Sequence, residues 1–431
     1  MGAGAPARPL LALLAAVGAA AIRQRKFYLV SAVMAISAPF SGPPVATRGK
    51  IVLLHFVGQM PLAGIAWQAI NYLVALEKLG YEVWYVEDHG ANPYDPRISS
   101  VVVDCAYNLE YLRGVMARHG LGERWAYWDA INDDYHGLSR ERVHELYAEA
   151  DGLINLCGAT RLRTEHMRCP VRIMVDTDPV YEQIKYAQAD PAARAYLDAH
   201  THFFTYGENL GAADCPVPLC GVPWWPTRPP VDLDLWPQAG GEPPCFTTIA
   251  TWENKGKNIE FDGANYLWSK HVNFLTYLDL PRRRPDTCFR MAMLPPTDTV
   301  SRTVETAGWQ LVDPRPISAD MGAYQAFIAG SRGEFTVAKD IYVRPNSGWF
   351  SDRAVCYLAS GRPVITMRTG FDRVYPAGHG LLDYASRDEA LAAIDAVASN
   401  YISQSRAARE LAREVFGADK VIGRLMTEAG L

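Results

Sequence analysis

The chain has 431 residues, of which 49% are hydrophobic and 21% are charged. It can therefore bury a large interior and is too long for one compact core, so its length predicts two or three domains. Lys and Arg number 42 against 47 Asp and Glu, which gives a net charge of −5. This balance argues against a nucleic-acid partner, because binding nucleic acid requires a basic face.

The 8 cysteines are scattered along the chain and form no CxxC pair. In a chain of this length such a distribution is typical of reduced thiols in the cytoplasm. Cys215 and Cys220 lie close together in sequence, but no His or Cys pair nearby completes a zinc set. The cysteines therefore predict a cytoplasmic protein with reduced thiols and no structural metal.

The first residues, 1–48, form an extension ahead of the first predicted domain. The apolar run Leu10 to Ile22 is shorter than the roughly 20 residues that cross a bilayer, and the basic cluster Arg23 to Lys26 follows it, whereas a secretory signal carries its charge first. A second apolar stretch spans Phe27 to Ala38. Three interpretations remain: a non-native extension with the true start at Met34, a weak membrane anchor, or a signal peptide. We favour the first and expect a poorly packed extension and no membrane association.

The next part of the chain, 49–215, shows the alternation of a parallel α/β sheet. The β-rich run Lys50 to Phe56 is followed by a helical segment, Ile65 to Leu79, then by Gly80 as a helix terminator and a second β-rich run, Tyr81 to Val86. Further elements are predicted as helices at 101–114, 140–149 and 181–187 and as strands at 152–156, 171–175 and 202–206. The pattern predicts a doubly wound domain.

A proline-rich segment, 216–244, separates this half from a second one. Its nine prolines exclude helix and sheet interiors, so we expect an extended linker between domains. A second alternation follows over 245–431, with strands predicted at 246–251, 289–294, 309–312, 335–338 and 363–366 and helices at 319–329, 351–359, 388–397 and 404–415. The sequence therefore predicts an α/β protein of two Rossmann-like domains facing across a cleft, which is the expected ligand site.

The loop after the first strand, His55 to Gln68, is a candidate for ligand binding. Gly58 and Gly64 let the backbone turn tightly, and the helix that follows offers free N–H groups to an anion. The loop is not GxGxxG, so it carries no dinucleotide fingerprint. An interpretation in which these glycines only join strand to helix carries equal weight.

Two acidic loops follow predicted strands of the first half. Asp88 and His89 place a carboxylate beside an imidazole, a pair that can deprotonate a hydroxyl. Asp176 and Asp178 end the strand at 171–175 and suit hydroxyl binding, proton abstraction or a metal. The alternative is a solvated turn at His89 and a helix cap after Asp178. We favour a functional role for Asp176 and Asp178 and a turn for His89.

The second half offers candidates for holding a phosphate. Lys255 and Lys257 flank a glycine in the loop after its first strand and suit a phosphate clamp, although charged loop residues are usually only solvated. A second patch joins a glycine loop to the start of the helix at 351–359, where free amides attract a diphosphate and Arg353 could hold it with two hydrogen bonds. Asp352 could accept from a ribose hydroxyl or simply cap the helix. The candidates of this patch and the next strand-end loop are Gly348, Ser351, Asp352, Arg353, Thr369 and Gly370.

The stretch YLASGRPVI followed by TGF, at 357–371, resembles the C-terminal domain of GT-B glycosyltransferases. The closest resemblance is to the branch called glycosyltransferase family 1-like or CgeB-like, after a spore-maturation protein. PLAGIAWQAINYLVALEKLGYEVWYVED, VRIMVDTDP and FTYGEN resemble the same group, so the resemblance extends from about Lys50 to the C-terminus.

The resemblance implies a GT-B fold, a nucleoside-diphosphate sugar as co-substrate bound mainly on the C-terminal domain, and no divalent metal or other cofactor. We therefore expect a hexosyl-type glycosyltransferase that acts on a small-molecule or glycan acceptor. The second-half candidates would hold the donor, and Asp176, Asp178 or the pair Asp88 and His89 would orient or deprotonate the acceptor.

The sequence departs from the resembled pattern at two positions. Retaining enzymes of this fold often carry two glutamates where this chain has Gly348 and Cys356. Asp352 could replace the ribose contact, and Glu334 is the nearest upstream candidate for the sugar. The missing pair leaves the stereochemistry open. It also leaves two alternatives open: a sugar-nucleotide epimerase or phosphorylase on the same fold, or a degenerate nucleotide-sugar-binding protein.

Overall fold

The computed structural model describes residues 47–431 except Lys255. The expectations for the N-terminal extension and for Lys255 fall outside these residues. The strands are β1 (Lys50–Leu54), β2 (Glu82–Glu87), β3 (Tyr94–Asp95), β4 (Ser100–Val101), β5 (Trp125–Asp129), β6 (Asp134–Gly137), β7 (Gly152–Leu156), β8 (Val171–Asp176), β9 (His202–Thr205), β10 (Trp224–Pro226), β11 (Cys245–Ile249), β12 (Ile259–Phe261), β13 (Ala264–Tyr266), β14 (Cys288–Ala292), β15 (Gln310–Val312), β16 (Gly333–Thr336), β17 (Val364–Met367) and β18 (Leu381–Tyr384).

The α-helices of the same residues alternate with these strands. They are α1 (Ala63–Lys78), α2 (Ala106–Arg118), α3 (Arg140–Glu149), α4 (Tyr181–Ala187), α5 (Pro191–Asp198), α6 (His271–Tyr277), α7 (Leu280–Arg283), α8 (Asp298–Thr306), α9 (Arg315–Ser318), α10 (Met321–Ala329), α11 (Asp340–Val343), α12 (Asp352–Ala359), α13 (Arg387–Ser399), α14 (Tyr401–Val415) and α15 (Ala418–Glu428).

The first half builds an eight-stranded sheet in the order β10-β9-β8-β7-β1-β2-β5-β6. All neighbours are parallel except β5 and β6, which form an antiparallel edge hairpin. β7 is buried along its whole length, because helices cover both faces of such a sheet. The strand next to it, β1, is the point from which the chain winds outward in both directions.

The second half builds a six-stranded parallel sheet in the order β15-β14-β11-β16-β17-β18. Here β11 lies between β14 and β16 and plays the part that β1 plays in the first sheet. The two sheets confirm the predicted pair of Rossmann-like α/β units. The domain limits at 49–215 and 245–431 stay predictions.

The proline-rich segment is more than the predicted linker, because it contains a strand. β10 pairs in parallel with β9 and forms the edge of the first sheet. An edge strand needs hydrogen bonds on one side only, so Pro226 at its end costs no ladder hydrogen bond on the open side. The sequence also missed the hairpin of β5 and β6, strand β18 and helix α15.

The C-terminal helices share a core with the first half. Apolar side chains of α1, such as Ala66, Ile70 and Leu73, belong to one buried cluster with Ile422 and Leu425 of α15. Helix α15 packs directly against α1. The end of the described chain therefore completes the interior that its beginning opens.

Cys245 and Cys288 form a disulfide with an S–S distance of 2.07 Å. The prediction that all cysteines are reduced is wrong for this pair. The two residues open β11 and β14 and are partners in the parallel register, so the strand pairing brings their side chains together. Their separation of 43 residues conceals this proximity in the sequence. None of the helices in the described part of the chain is long and apolar enough to cross a membrane.

Candidate active site

A cleft of about 680 Å³ lies where the carboxyl ends of both sheets meet. In each sheet the winding direction reverses beside the first strand, between β1 and β7 and between β11 and β16. At such a reversal the loops diverge and leave a crevice for a ligand. Loops after β1, β7 and β8 form one wall of the cleft, and loops after β11 and β16 with the start of α12 form the other.

The first-half wall centres on Cys157, which follows β7 with a left-handed φ of 58°. The hydroxyl of Thr177 donates to its sulfur at 3.0 Å, and the thiol donates to Oε1 of Gln68 at 3.1 Å. Nε2 of His55 lies 3.0 Å from the same oxygen. Burial lowers the pKa of His55 to about 3, so the imidazole stays neutral and serves as a hydrogen-bond donor.

Asp178 connects the two walls. Its carboxylate accepts from Nζ of Lys339 at 3.2 Å and from the hydroxyl of Tyr342. Nζ of Lys339 also lies 3.6 Å from the ring centroid of Trp268, a cation–π contact. Enclosure opposes ionisation of Asp178, but the charge of Lys339 and the hydrogen bond from Tyr342 outweigh it and lower the pKa. Asp178 is therefore an ionised group and a weak base.

Lys270 lines the second-half wall of the cleft, and its amine has no direct partner among the described residues. Its exposed fraction is 8%, and none of the described residues gives its amine a hydrogen bond or an ion pair. Burial and the nearby charge of Arg353 lower its pKa well below the ordinary value, although the charges of Glu334 and Asp178 act in the opposite direction. An anionic ligand in the cleft would add a direct counter-charge to the amine.

Arg353 lines the cleft, but its charge is already matched. Its Nε donates to Oε1 of Glu334 at 2.5 Å, and another guanidinium nitrogen donates to Thr336 at 3.1 Å. Glu334 is fully buried, and its second oxygen, Oε2, has no hydrogen-bond partner among the described residues. A two-bond hold of Arg353 on a diphosphate, as the sequence predicts, would have to compete with this ion pair.

Asp352 opens helix α12 and is partly exposed to the cleft. Tyr206 donates to its Oδ1 at 3.4 Å, a long hydrogen bond, and Gln68 donates a second one. Enclosure raises the pKa of Asp352 to about 7, since neither neighbour brings a positive charge. The first wall therefore faces a carboxyl that exchanges a proton near neutral pH.

Other predicted acceptor-side residues lie away from the cleft lining. Asp88 accepts from Tyr147 at 2.7 Å, Arg163 at 2.8 Å and His166 at 3.0 Å. Burial alone would raise its pKa, but these partners lower it to about 2. His89 accepts the backbone N–H of Ala91 at Nδ1.

Asp176 sits behind the cleft wall rather than in it. Its carboxyl accepts from Gln183 at 2.7 Å and from Thr205 at 3.2 Å. Burial raises its pKa to about 7, but Asp176 is not among the residues that line the cleft. Its hydrogen bonds join β8 to α4 and β9.

The predicted glycine loops divide between the cleft and the interior. Gly64 lines the cleft. Gly58 donates its N–H to Glu87 inside the first half. Gly348 has a φ of 83°, and a Cβ there would lie 2.3 Å from the backbone nitrogen of Asn209, so this loop is packed rather than open.

The remaining second-half candidates also divide. The N–H of Gly348 donates to the carbonyl of Thr369 at 2.6 Å, which ties the two predicted loops to each other instead of to the cleft. Gly370 has a φ of 99° and packs on Asn346. Lys257 is exposed and lies 4.9 Å from the ring centroid of Trp268. The predicted residues that the structure brings together in the cleft are Gly64, Asp178, Ser351, Asp352 and Arg353.

Sequence reasoning missed the two cleft lysines. Lys339 follows the predicted strand at 335–338 directly, so the rule that placed Asp176 and Asp178 at a strand end could have found it. Lys270 precedes a short helix and follows no strand of the main sheets, and no sequence signal marks it. Only the fold brings Lys270 to the cleft.

Two groups of described side chains could hold a metal ion: Cys105, Asp129 and His136, and Asp88, Glu165 and His166. All six belong to the first half and none lines the cleft. In the second group Arg163 already supplies a cation to Asp88.

No protein-family model matches the chain, and no curated protein sequence is similar to it. Solved structures do match its fold. An alpha-glucosyltransferase in complex with UDP and mismatched DNA has a TM-score of 0.52 at 8% identity, and the match covers 90% of this chain and 100% of that one. HepE of Anabaena in complex with UDP has a TM-score of 0.52 at 9% identity, over 89% of this chain and 100% of that one. HepE in complex with UDP-glucose matches over the same shares with the same TM-score and identity. The matches confirm the predicted GT-B fold.

Proposed function

We propose that the protein is a glycosyltransferase that moves a hexosyl group from a nucleoside-diphosphate sugar to a hydroxyl or amine of a small molecule or glycan. The observation that carries this proposal is the buried, unpaired Lys270 in a cleft between the carboxyl ends of two Rossmann-like sheets. The alpha-glucosyltransferase and HepE, whose folds this chain shares, were solved with UDP and UDP-glucose. We extend that ligand class to this chain, within the group that its sequence resembles.

The donor diphosphate would lie against Lys270 and the free amides at the start of α12. The leaving diphosphate gains negative charge as the glycosidic bond breaks, and a cation in a water-poor cleft stabilises this charge more than it would in water. Lys270 is suited to this role because none of the described side chains holds its amine by a direct hydrogen bond or ion pair, although the charges of Glu334 and Asp178 lie nearby. In this proposal Lys270 and the α12 amides perform the task that a divalent metal performs elsewhere, and EDTA should leave turnover unchanged.

The acceptor would approach from the wall formed by Gln68, Cys157 and Asp178. This wall carries hydroxyl, thiol, amide and carboxylate groups, which suit a polar acceptor. The net charge of −5 disfavours a nucleic-acid acceptor.

The direct test is calorimetric titration of UDP into the wild type and into the Lys270→Met variant. Removing a buried charge partner costs about 2 kcal/mol or more, so the variant should bind UDP at least ~30-fold more weakly. Lys420→Met is the matched control. Lys420 lies on α15 outside the cleft, is exposed, and pairs with Glu414 of α14. It should bind UDP as the wild type does.

Turnover is tested with UDP-glucose as probe, by following UDP release. Release confirms an enzyme; UDP binding without release, over a panel of acceptors, supports the degenerate binding protein instead. If the wild type does not bind UDP, the proposal is wrong. If Lys270→Met binds UDP as tightly as the wild type, the diphosphate does not lie at Lys270.

A further inference from the structure

We propose that Asp352 is the general base that removes the proton from the acceptor hydroxyl, so that the transfer is a single displacement that inverts the anomeric carbon. This inference rests on the proposed function. It gives Asp352 a role that differs from the ribose contact suggested by the sequence.

The position of Asp352 is the first argument. It belongs to the second half by sequence, at the start of α12, but its hydrogen-bond partners Gln68 and Tyr206 belong to the first half. The residue therefore projects from the donor side of the cleft towards the acceptor side. A base must lie beside the acceptor and near the anomeric carbon at once, and a residue of the donor wall that contacts the acceptor wall is suited to both needs.

The second argument is that no other carboxylate or imidazole among the described cleft residues is free for this task. Asp178 and Asp352 are the carboxylates among the described residues that line the cleft, and no histidine lines it. Asp178 is held by Lys339 and Tyr342, which keep it ionised and lower its proton affinity. Asp352 has only the 3.4 Å hydrogen bond from Tyr206 and the contact with Gln68, so an acceptor hydroxyl can replace a weak partner.

The charges that face Asp352 favour proton uptake near neutral pH. Gln68 and Tyr72 of α1, Cys157 after β7, Tyr206 after β9, Tyr342 of α11 and Cys356 of α12 are uncharged there. Asp178, after β8, contributes a negative charge that opposes ionisation. The pKa of Asp352, raised to about 7 by enclosure, is the value that lets a base be ionised and still hold a proton.

The hydroxyl pair behind Asp352 fixes its orientation. The hydroxyl oxygens of Tyr72 and Tyr206 lie 3.1 Å apart, and the hydroxyl of Tyr206 donates to Oδ1 of Asp352. Oδ1 is thereby engaged by the protein, and Gln68 is the second donor to this carboxyl.

The step balances without a further reactant. The acceptor oxygen forms a bond to the anomeric carbon while its proton passes to the Asp352 carboxylate. The bond between the anomeric carbon and the diphosphate oxygen breaks, and its electron pair leaves with the nucleoside diphosphate. Release of the proton to water restores the carboxylate for the next turnover.

The test uses the full chain, UDP-glucose as donor and water as the probe acceptor. In Asp352→Asn the carboxamide has the same shape but accepts no proton, so kcat for UDP release should fall at least ~100-fold while UDP affinity stays within about twofold of the wild type. The wild-type kcat/KM for UDP-glucose should rise with pH to a plateau through an apparent pKa near 7, and this rise should be absent in the variant. Asp234→Asn, at a side chain that is 85% exposed, is the matched control and should retain the wild-type rate.

The anomer of the first-formed glucose, read by NMR before mutarotation, gives an independent result. The glucosyl group of UDP-glucose is α-linked, so inversion releases β-glucose and retention releases α-glucose. A first product of α-glucose, an unchanged kcat in Asp352→Asn, or a pH-independent wild-type kcat/KM overturns the inference, while UDP binding leaves the proposed function standing. Absence of both UDP binding and turnover in the wild type overturns the proposed function and the inference together.

Discussion

Two enclosed aspartates of this molecule, Asp88 and Asp352, differ in their partners and therefore in their chemistry. Asp88, inside the first half, accepts from three side chains at 3.0 Å or less, two of which carry or can carry positive charge. Asp352, in the cleft, has a 3.4 Å hydrogen bond from a tyrosine and no cationic partner. The pKa of Asp88 is about 2 and that of Asp352 about 7.

The comparison shows why burial alone does not identify a functional carboxylate. A buried charge held by close donors, one of them cationic, is part of the structure, and its neighbours depend on it. An enclosed carboxyl with weak partners costs stability and retains the capacity to react. Asp88 is of the first kind and lies inside the first half, and Asp352 is of the second kind and lines the cleft.

The largest expected effect is the loss of stability in Asp88→Ala. The substitution leaves Arg163 without its counter-charge and the buried His166 without its hydrogen-bond acceptor, which should lower the free energy of unfolding by about 3 kcal/mol. Urea unfolding measures the change. The contribution of Asp88 is present above its ordinary pKa of 3.8 and is lost as pH falls through about 2, because the folded-state pKa is depressed.

Asp234→Ala serves as the control for this measurement, since its ion pair with Lys78 is exposed and should be worth less than about 1 kcal/mol. An Asp88→Ala variant as stable as this control would contradict the structural role of Asp88.

A change of opposite sign is expected for Asp352→Asn. Folding raises the pKa of Asp352 from 3.8 to about 7, so the stability of the wild type decreases as pH rises through this interval and stays reduced above it. The variant carries no titrating group here and should be more stable than the wild type above pH 7, by about 1 kcal/mol after screening by cleft water. Thermal unfolding at several pH values measures this. If Asp352→Asn is less stable than the wild type at pH 8, Asp352 stabilises the fold as Asp88 does, and the expectation is wrong.

The smallest effect is the uptake of a fraction of a proton when UDP binds. Lys270 has a lowered pKa in the empty cleft because it is buried beside Arg353, and a diphosphate would raise that pKa by supplying negative charge. Binding enthalpies measured at pH 8 in buffers of different ionisation enthalpy should therefore differ, with net proton uptake. Equal enthalpies in the wild type would contradict the contact, and Lys270→Met should show no uptake at this site.

The fold was accessible from the sequence because its signals are local. Helix α3, strand β7 and helix α4 have the predicted limits, since periodicity and terminators act over a few residues. Strand β10 was missed because its prolines oppose a strand locally, and only its edge position in the sheet makes it tolerable. The disulfide of Cys245 and Cys288 depends on strand register, which no local pattern reveals.

The candidate site was only partly accessible for the same reason. The rule that loops at the carboxyl ends of strands carry function selected Asp178, which lines the cleft. It also selected Asp88 and Asp176, whose side chains turn inward to hydrogen bonds within the first half. Gly348 was chosen for an open loop, whereas its positive φ serves close packing on Asn209. Lys270 depends on the tertiary fold alone.

The packing of α15 on α1 has a consequence for biosynthesis. Helix α1 leaves the ribosome long before α15, which packs on part of its apolar surface. The nascent first half therefore keeps this apolar surface exposed until α15 has been synthesised. Chaperone dependence and sensitivity to premature termination should concentrate on that interval.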